Sequence, residues 1–195
     1  MQTLEDVLEE VGSCTKCPGL KPCKKMPMDS HANKTSQIMI INQYPDEKSH
    51  NKNAYWSNPG GEKLRDIFTE IGIDPESSFY ITDALKCLPS KGYKPSDEEL
   101  INCRPFLEEE IEKIKPDYII PIGDIATKNL FEMMGLEYDN ILKLHNENGT
   151  HYINLGDKII IPIQHPSKAP RFMDFVLYRY HLKDVFTRVI EVEGQ

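Results

Sequence analysis

Four short apolar runs constrain the fold of this chain more tightly than anything else in it. They are Ile38-Met39-Ile40-Ile41, Phe79-Tyr80-Ile81-Thr82, Tyr118-Ile119-Ile120-Pro121 and Ile159-Ile160-Ile161-Pro162-Ile163. Each is rich in β-branched residues and too short for a helix. A strand with one wet face alternates apolar and polar residues, whereas a continuous run suits a strand covered on both faces. Segments of helical pattern lie between the runs: about Glu62–Ile71, a long one from Ser96, boxed with Glu99, to Lys115, and Ile125–Met134. A first helix, capped by Thr3 with Asp6, runs to about Val11, and a last one spans about Phe175–Ile190. Alternating strand and helix predicts an α/β chain, a three-layer α/β/α sandwich with a central, mostly parallel four-stranded sheet. Asn51–Asn58 and Glu137–Thr150 read as polar loops, the second as a hairpin excursion before the final strand.

The chain has 195 residues, which suits a single domain over 1–195 with a sizeable core. No segment approaches the roughly 20 apolar residues of a membrane helix, so no membrane partner is expected. The net charge of −8 argues against coating nucleic acid non-specifically, but leaves room for a local basic face. Much of the acidity, Glu98-Glu99 and Glu108-Glu109-Glu110, falls on what reads as one solvated helix. The basic residues gather elsewhere: Lys21, Lys24 and Lys25, then Lys91 and Lys94, then Lys168 and Arg171.

Cys14 and Cys17 stand at C-x₂-C spacing, and fifteen residues separate Cys87 from Cys103. Two thiolates from one turn can share a metal centre, and a distant pair can complete its shell once the chain folds. Soft thiolates without histidine suit zinc or an iron–sulfur cluster, and the spacing leaves both open. Disulfides and free buried cysteines are the alternatives. Disulfides need an oxidising compartment, yet the chain starts with an acidic, helix-like segment and no apolar signal region, so an intracellular location is expected. Cys23 is the odd cysteine, a bystander or a reserve ligand.

In a parallel sheet, ligands bind beyond the carboxyl ends of the strands. The segments there are Asn42-Gln43-Tyr44-Pro45-Asp46, Asp83-Ala84-Leu85-Lys86, Gly123-Asp124 and Gln164-His165-Pro166-Ser167. One edge therefore collects a histidine, carboxylates, amides and aromatics, with Cys87 four residues beyond Asp83.

At these residues the chain resembles the family-4 (iron–sulfur) uracil-DNA glycosylases. The N-terminal C-x₂-C-P looks like Cys14-Thr15-Lys16-Cys17-Pro18. The family's strand, G-E-A-P-G motif and P-F-V-G-x-A-G-x-L-L run align with Ile38 through Leu64 without a gap, Pro45 on the motif proline and Trp56 on the phenylalanine. I-T-N-x-x-K-C looks like Ile81 to Cys87, and P-x-x-x-E-x-x-x-C like Pro95 to Cys103. H-P-[AS] with a following arginine looks like His165-Pro166-Ser167 and Arg171. The resemblance spans nearly the whole chain. It implies a [4Fe–4S] cluster on Cys14, Cys17, Cys87 and Cys103, with zinc the less expected occupant. It also implies a monomer that acts on DNA, including single-stranded DNA or DNA with modified bases, and hydrolyses the N-glycosidic bond of a flipped pyrimidine.

Such an enzyme takes the target nucleotide out of its stack, at a cost of roughly a few kcal/mol, and reads the base by stacking and edge hydrogen bonds. Trp56 matches the stacking ring, although a lone tryptophan equally suits core packing. Negative charge develops on the departing base, so a donor near its O2 lowers the barrier, and His165 can supply it. Asp83 takes the place of the base-reading asparagine, with Tyr44 and Asn42 beside it. Gln43 and Asp46 are placed for water or sugar, and Lys168, Arg171 and Ser167 for the DNA backbone. Several positions depart from the family. G-E-A-P-G becomes Asn42-Gln43-Tyr44-Pro45-Asp46, which loses both glycines and replaces an acid by an amide that cannot act as base. An ionised Asp83 only accepts and would repel uracil O4, suiting cytosine or a modified base instead; a protonated one in a buried pocket would not. The wedge leucines become Ala169 and Pro170, with Phe172 as a substitute wedge. The alternative reading is a catalytically inactive nucleic-acid-binding or partner-binding protein that keeps the fold.

Overall fold

The computed structural model describes residues 2–20, 33–52, 54–90, 92–146, 149–150, 152–167 and 175–193. Its centre is a five-stranded sheet in the order β2-β1-β3-β7-β6. The strands are β1 (Ile38–Asn42), β2 (Tyr80–Asp83), β3 (Tyr118–Pro121), β6 (Ile153–Leu155) and β7 (Lys158–Ile160). β1 pairs in parallel with β2 and β3, and β3 with β7. β1 is thus flanked on both sides, the arrangement that opens a crevice beyond the strand ends.

The apolar runs became these strands because the sheet has two dry faces. In β1, Ile38 and Ile40 join one core and Met39 and Ile41 the other. On one face pack α1 (Leu4–Ser13), α5 (Asp97–Ile114) and α6 (Asp124–Met133), through residues such as Val7, Leu107 and Leu130. On the other pack α3 (Pro59–Glu70) and α7 (Phe175–Glu193), where Phe68 stands edge-on to Phe186 with ring centroids 4.7 Å apart. Both expected capping boxes form, Thr3 with Asp6 on α1 and Ser96 with Glu99 on α5. Among the described residues no helix is long and apolar enough to cross a membrane.

The structure differs from the sequence expectation in a few elements. The sheet has a fifth strand, β6, antiparallel to β7. Its Ile153-Asn154-Leu155 alternates and is only partly covered, as an edge strand requires, so it lacks the continuous signal of the other four. The hairpin excursion is present as β4 (His145–Asn146) and β5 (Gly149–Thr150). Two short helices, α2 (Glu47–Lys52) and α4 (Pro75–Ser78), occupy stretches without helical periodicity. Glu110, expected on a solvated face, is 2% exposed.

Candidate active site

The carboxyl ends of the strands meet around one pocket of about 320 Å³. Asn42 and Asp83 are register partners on β1 and β2, and the pairing continues beyond them as Ala84 and Leu85 donate to the carbonyls of Asn42 and Gln43. The tail of β3 is tied to that of β7 by the Gly123 N–H on the Ile163 carbonyl, at 2.7 Å. Asn42, Gln43, Tyr44, Asp46, Trp56, Asp83 and His165 all line the pocket, together with Lys94 and Ser167. The geometry thus brings together the residues that the sequence assigned to base and bond.

His165 is oriented by its own turn. The backbone N–H of Ser167 donates to its Nδ1 at 3.2 Å, and the Ser167 hydroxyl lies 2.7 Å from the same nitrogen. A backbone amide can only donate, so Nδ1 is the bare nitrogen of the neutral ring and Nε2 carries the proton. Ser167, assigned from sequence to the DNA backbone, also holds the histidine ring. Gly123 makes the close packing of this corner possible: its φ is +87°, and a Cβ there would lie 3.0 Å from His165 Cβ and 3.2 Å from Gln43 Cδ. Sequence reading had placed Gly123 at the sheet edge without a role; a glycine directly after an apolar run was the available signal.

Asp83 is 4% exposed, and burial pushes its carboxyl up to about 7. The Lys86 ammonium opposes the rise, while the Glu110 and Asp46 carboxylates add to it. Lys86 does not neutralise Asp83 outright because it is committed elsewhere. Its Nζ lies 2.6 Å from both Glu110 Oε2 and Thr82 Oγ1, and the Thr82 hydroxyl donates to the same carboxylate at 2.8 Å. Asp83 is therefore mostly a carboxylic acid below about 7 and half ionised at that pH, and the acid form has one O–H donor and one carbonyl acceptor, the pair an asparagine would present. In the sequence Lys86 carried no role of its own and Glu110 read as part of a solvated face.

Asp46 is the pocket's anion. Burial would raise its carboxyl, but hydrogen bonds from the Ser49 hydroxyl, Asn58 Nδ2 and the backbone N–H groups of Ser49 and Lys48 hold it below its ordinary value. The backbone bonds make it the cap of α2, which explains why that helix forms. Asn58 is a shared hinge: its Oδ1 accepts from Gly60 and Gly61 at the start of α3, at 2.9 Å each.

Trp56 answers the choice between core and stacking ring with both locations. It is 6% exposed, packs against Phe68 at 5.6 Å between centroids, and still forms part of the pocket wall. Its indole N–H donates to Asn42 Oδ1 at 2.8 Å, and Asn42 Nδ2 donates to the Thr82 carbonyl at 3.1 Å. Asn42 thus positions the tryptophan, and its amide keeps a second N–H and a second lone pair at the pocket wall. Trp56 adopts φ +56°, and Gly61 is required beside it because any Cβ there would overlap the Trp56 backbone.

Cys14 and Cys17 pack against the core cluster that contains Cys87 and Cys103. Cys14, Cys17 and Cys103 are free thiols, and Cys87 is disulfide-bonded. Burial pushes the Cys103 thiol up to about 11 against the pull of the Lys86 backbone N–H, whose hydrogen bond to Sγ is 3.3 Å long. Burial also raises Cys17, partly offset by Asn102. Among the described residues no group of three or more His, Cys, Asp or Glu is assembled as a metal site. Cys23, Lys91, Lys168, Ala169, Pro170, Arg171 and Phe172 lie outside the described residues.

A family model described as the uracil DNA glycosylase superfamily matches residues 30–182. The chain is 32% identical over 171 residues to a type-4 uracil-DNA glycosylase of Saccharolobus solfataricus, across 87% of this chain and 78% of that protein. It is 29% identical to a type-4 uracil-DNA glycosylase of Archaeoglobus fulgidus, across 95% and 89%. A DNA polymerase of Bacillus phage SP01 is 29% identical over 161 residues, which cover 81% of this chain but 16% of the polymerase.

Proposed function

Because the chain belongs to the uracil-DNA glycosylase superfamily, we propose that it hydrolyses the N-glycosidic bond of a uracil flipped out of DNA. The observation that carries this reading is the meeting, in one pocket, of a histidine whose Nδ1 accepts a backbone N–H and a buried Asp83 whose burial favours its acid form. An acid-form Asp83 offers its O–H to uracil O4 and accepts from N3–H, so replacing the family's asparagine does not by itself cost uracil recognition. Cleavage breaks the bond between the sugar C1′ and uracil N1, and the electron pair leaves with the base. His165 Nε2–H donates to O2, where that charge gathers. The Asp46 carboxylate supplies negative charge beside the electron-poor sugar. Gln43 can orient the attacking water but cannot take its proton, so the water adds to a sugar already largely parted from its base, and the proton it sheds passes to the Asp46 carboxylate and on to the uracil anion, which leaves as neutral uracil. Lys168 and Arg171 follow Ser167 in sequence and would meet the DNA phosphates.

The cofactor reading rests on the donor set. Four cysteines gather at one core, two of them partly buried and free, one buried and free, and four thiolates without histidine are a donor set that suits a soft metal. Cys14, Cys17, Cys87 and Cys103 would hold the [4Fe–4S] cluster, which requires the bond at Cys87 to be reduced and so a reducing, intracellular setting. Bound there, the cluster would join the N-terminal segment to the loop after β2 and to α5.

The test is a panel of single-stranded oligonucleotides carrying one uracil, cytosine, thymine or modified pyrimidine, with the released base identified. Uracil release from the uracil strand is expected at neutral pH. Binding of all strands with every base retained would favour a non-catalytic binding protein instead.

A further inference from the structure

A second groove, of about 650 Å³, opens beside the base pocket and shares Tyr44, Pro45, Asp46 and Lys94 with it. Its far wall is the loop after Cys87, ending in Tyr93. Tyr93 is 43% exposed, yet its position is fixed at the tip: its hydroxyl donates to Glu99 Oε2 at 3.0 Å, the same oxygen that accepts the Ser96 N–H at 2.8 Å in the cap of α5. A ring pinned by its hydroxyl has lost rotamer freedom while its face stays open. That is an inexpensive stacking platform, and stacking tolerates any base.

The charges orient an occupant. Lys94 is exposed and lines both cavities, while the carboxylates Asp46 and Glu47 also line the groove. Asp46 is engaged by its capping hydrogen bonds and Glu47 is exposed, so an anionic group is favoured on the Lys94 side only. Because the groove is continuous with the base pocket, its natural occupant is whatever is covalently joined to the nucleotide in that pocket.

We propose that this groove is a subsite for the nucleotide next to the flipped one, whose base stacks on Tyr93 while the phosphodiester between the two nucleotides lies against Lys94. The proposal rests on the glycosylase reading of the base pocket. It deepens that reading by adding a second point of contact for the strand, where a base on Tyr93 has also left its own stack.

The experiment uses a single-stranded oligonucleotide with one 2′-fluoro-2′-deoxyuridine, which resists hydrolysis, and 2-aminopurine as its 5′ or 3′ neighbour. On binding, the emission of 2-aminopurine at one of the two positions should change; Tyr93→Phe should keep that change and Tyr93→Ala abolish it. Tyr93→Ala should also weaken binding roughly tenfold, and Lys94→Ala should weaken it with a smaller salt dependence. In uracil release from a normal strand, Tyr93→Ala should raise KM and leave kcat unchanged. An emission change that survives Tyr93→Ala, or none at either position in the parent, overturns the proposal. A Tyr93-dependent change in a protein that releases no base supports the subsite while contradicting the glycosylase reading.

Discussion

A carboxylic acid can stand in for an amide only while it holds its proton, so base recognition through Asp83 depends on pH. Its surroundings set the range: Lys86 from the loop after β2, Glu110 from α5, Asp46 from the loop after β1 and the buried Tyr55 all face it electrostatically. Uracil release should fall as pH rises through about 7, the value to which burial lifts Asp83. Asp83→Asn should match the parent at pH 6 and exceed it at pH 8.5, with discrimination worth roughly 1–3 kcal/mol. Superimposed pH profiles of the two proteins would show that Asp83 does not read the base. Stability carries the same signature. The unfolded chain releases this proton near its ordinary 3.8 and the folded one near 7, so between those values the native state binds the extra proton and loses stability as pH rises. The difference is on the order of 4 kcal/mol, from about 1.4 kcal/mol per pKa unit. Denaturant unfolding of Asp83→Asn at pH 8 should therefore give a higher midpoint than the parent, with a smaller gap at pH 5. Asp83, Gln43 and His165 could be placed at the pocket from the sequence because each lies within two residues of the end of an apolar run. The hold of Asn42 on the indole was not legible there, because it depends on a contact with Trp56 that only the folded loop creates.

Strand ends and helix starts do the positioning, and two glycines control it. Gly123 sits where β3 gives way to α6, at φ +87°, with His165 and Gln43 over its missing side chain. Gly123→Ala should cost about 1–3 kcal/mol in backbone strain. It should also lower uracil release on the order of a hundredfold, because it displaces two pocket residues by a fraction of an ångström or more. Unfolding midpoints and single-turnover rates measured on the same preparation would check this; a rate equal to the parent's would mean the corner is not part of the active site. The four long-range strands were readable because each is buried on both faces, and α1 and α5 because both carry capping boxes. β6 escaped notice as a half-covered edge strand, and α2 because its cap, Asp46, looked like a pocket residue and is both. Glu110 was misplaced for a similar reason. A run of three glutamates suggests a wet helix face, but the helical period puts Glu110 beside Leu107, Ile111 and Ile114, facing Lys86.

At the scale of the whole molecule, Cys14, Cys17, Cys87 and Cys103 come from three separate stretches of chain, and the acidity of −8 leaves DNA attraction to local cations. Protein purified without oxygen should be brown, with a broad visible absorption and stoichiometric iron and sulfide; a colourless protein with one zinc would contradict the cluster reading. Cys87→Ser should then lose iron and unfold at lower denaturant, since metal binding and folding are linked. Sequence alone reached the order of elements and the sheet edge where the site lies, because strand periodicity and motif spacing are local. It did not reach which pocket groups keep their protons, since that depends on burial by residues distant in the chain. The most direct measurement is uracil released from a single-stranded oligonucleotide at pH 6.5 by the parent and by His165→Ala. The account predicts free uracil from the parent and roughly 10²- to 10³-fold slower release from the variant, with strand binding retained. Equal release by both proteins, or none by the parent, would contradict it.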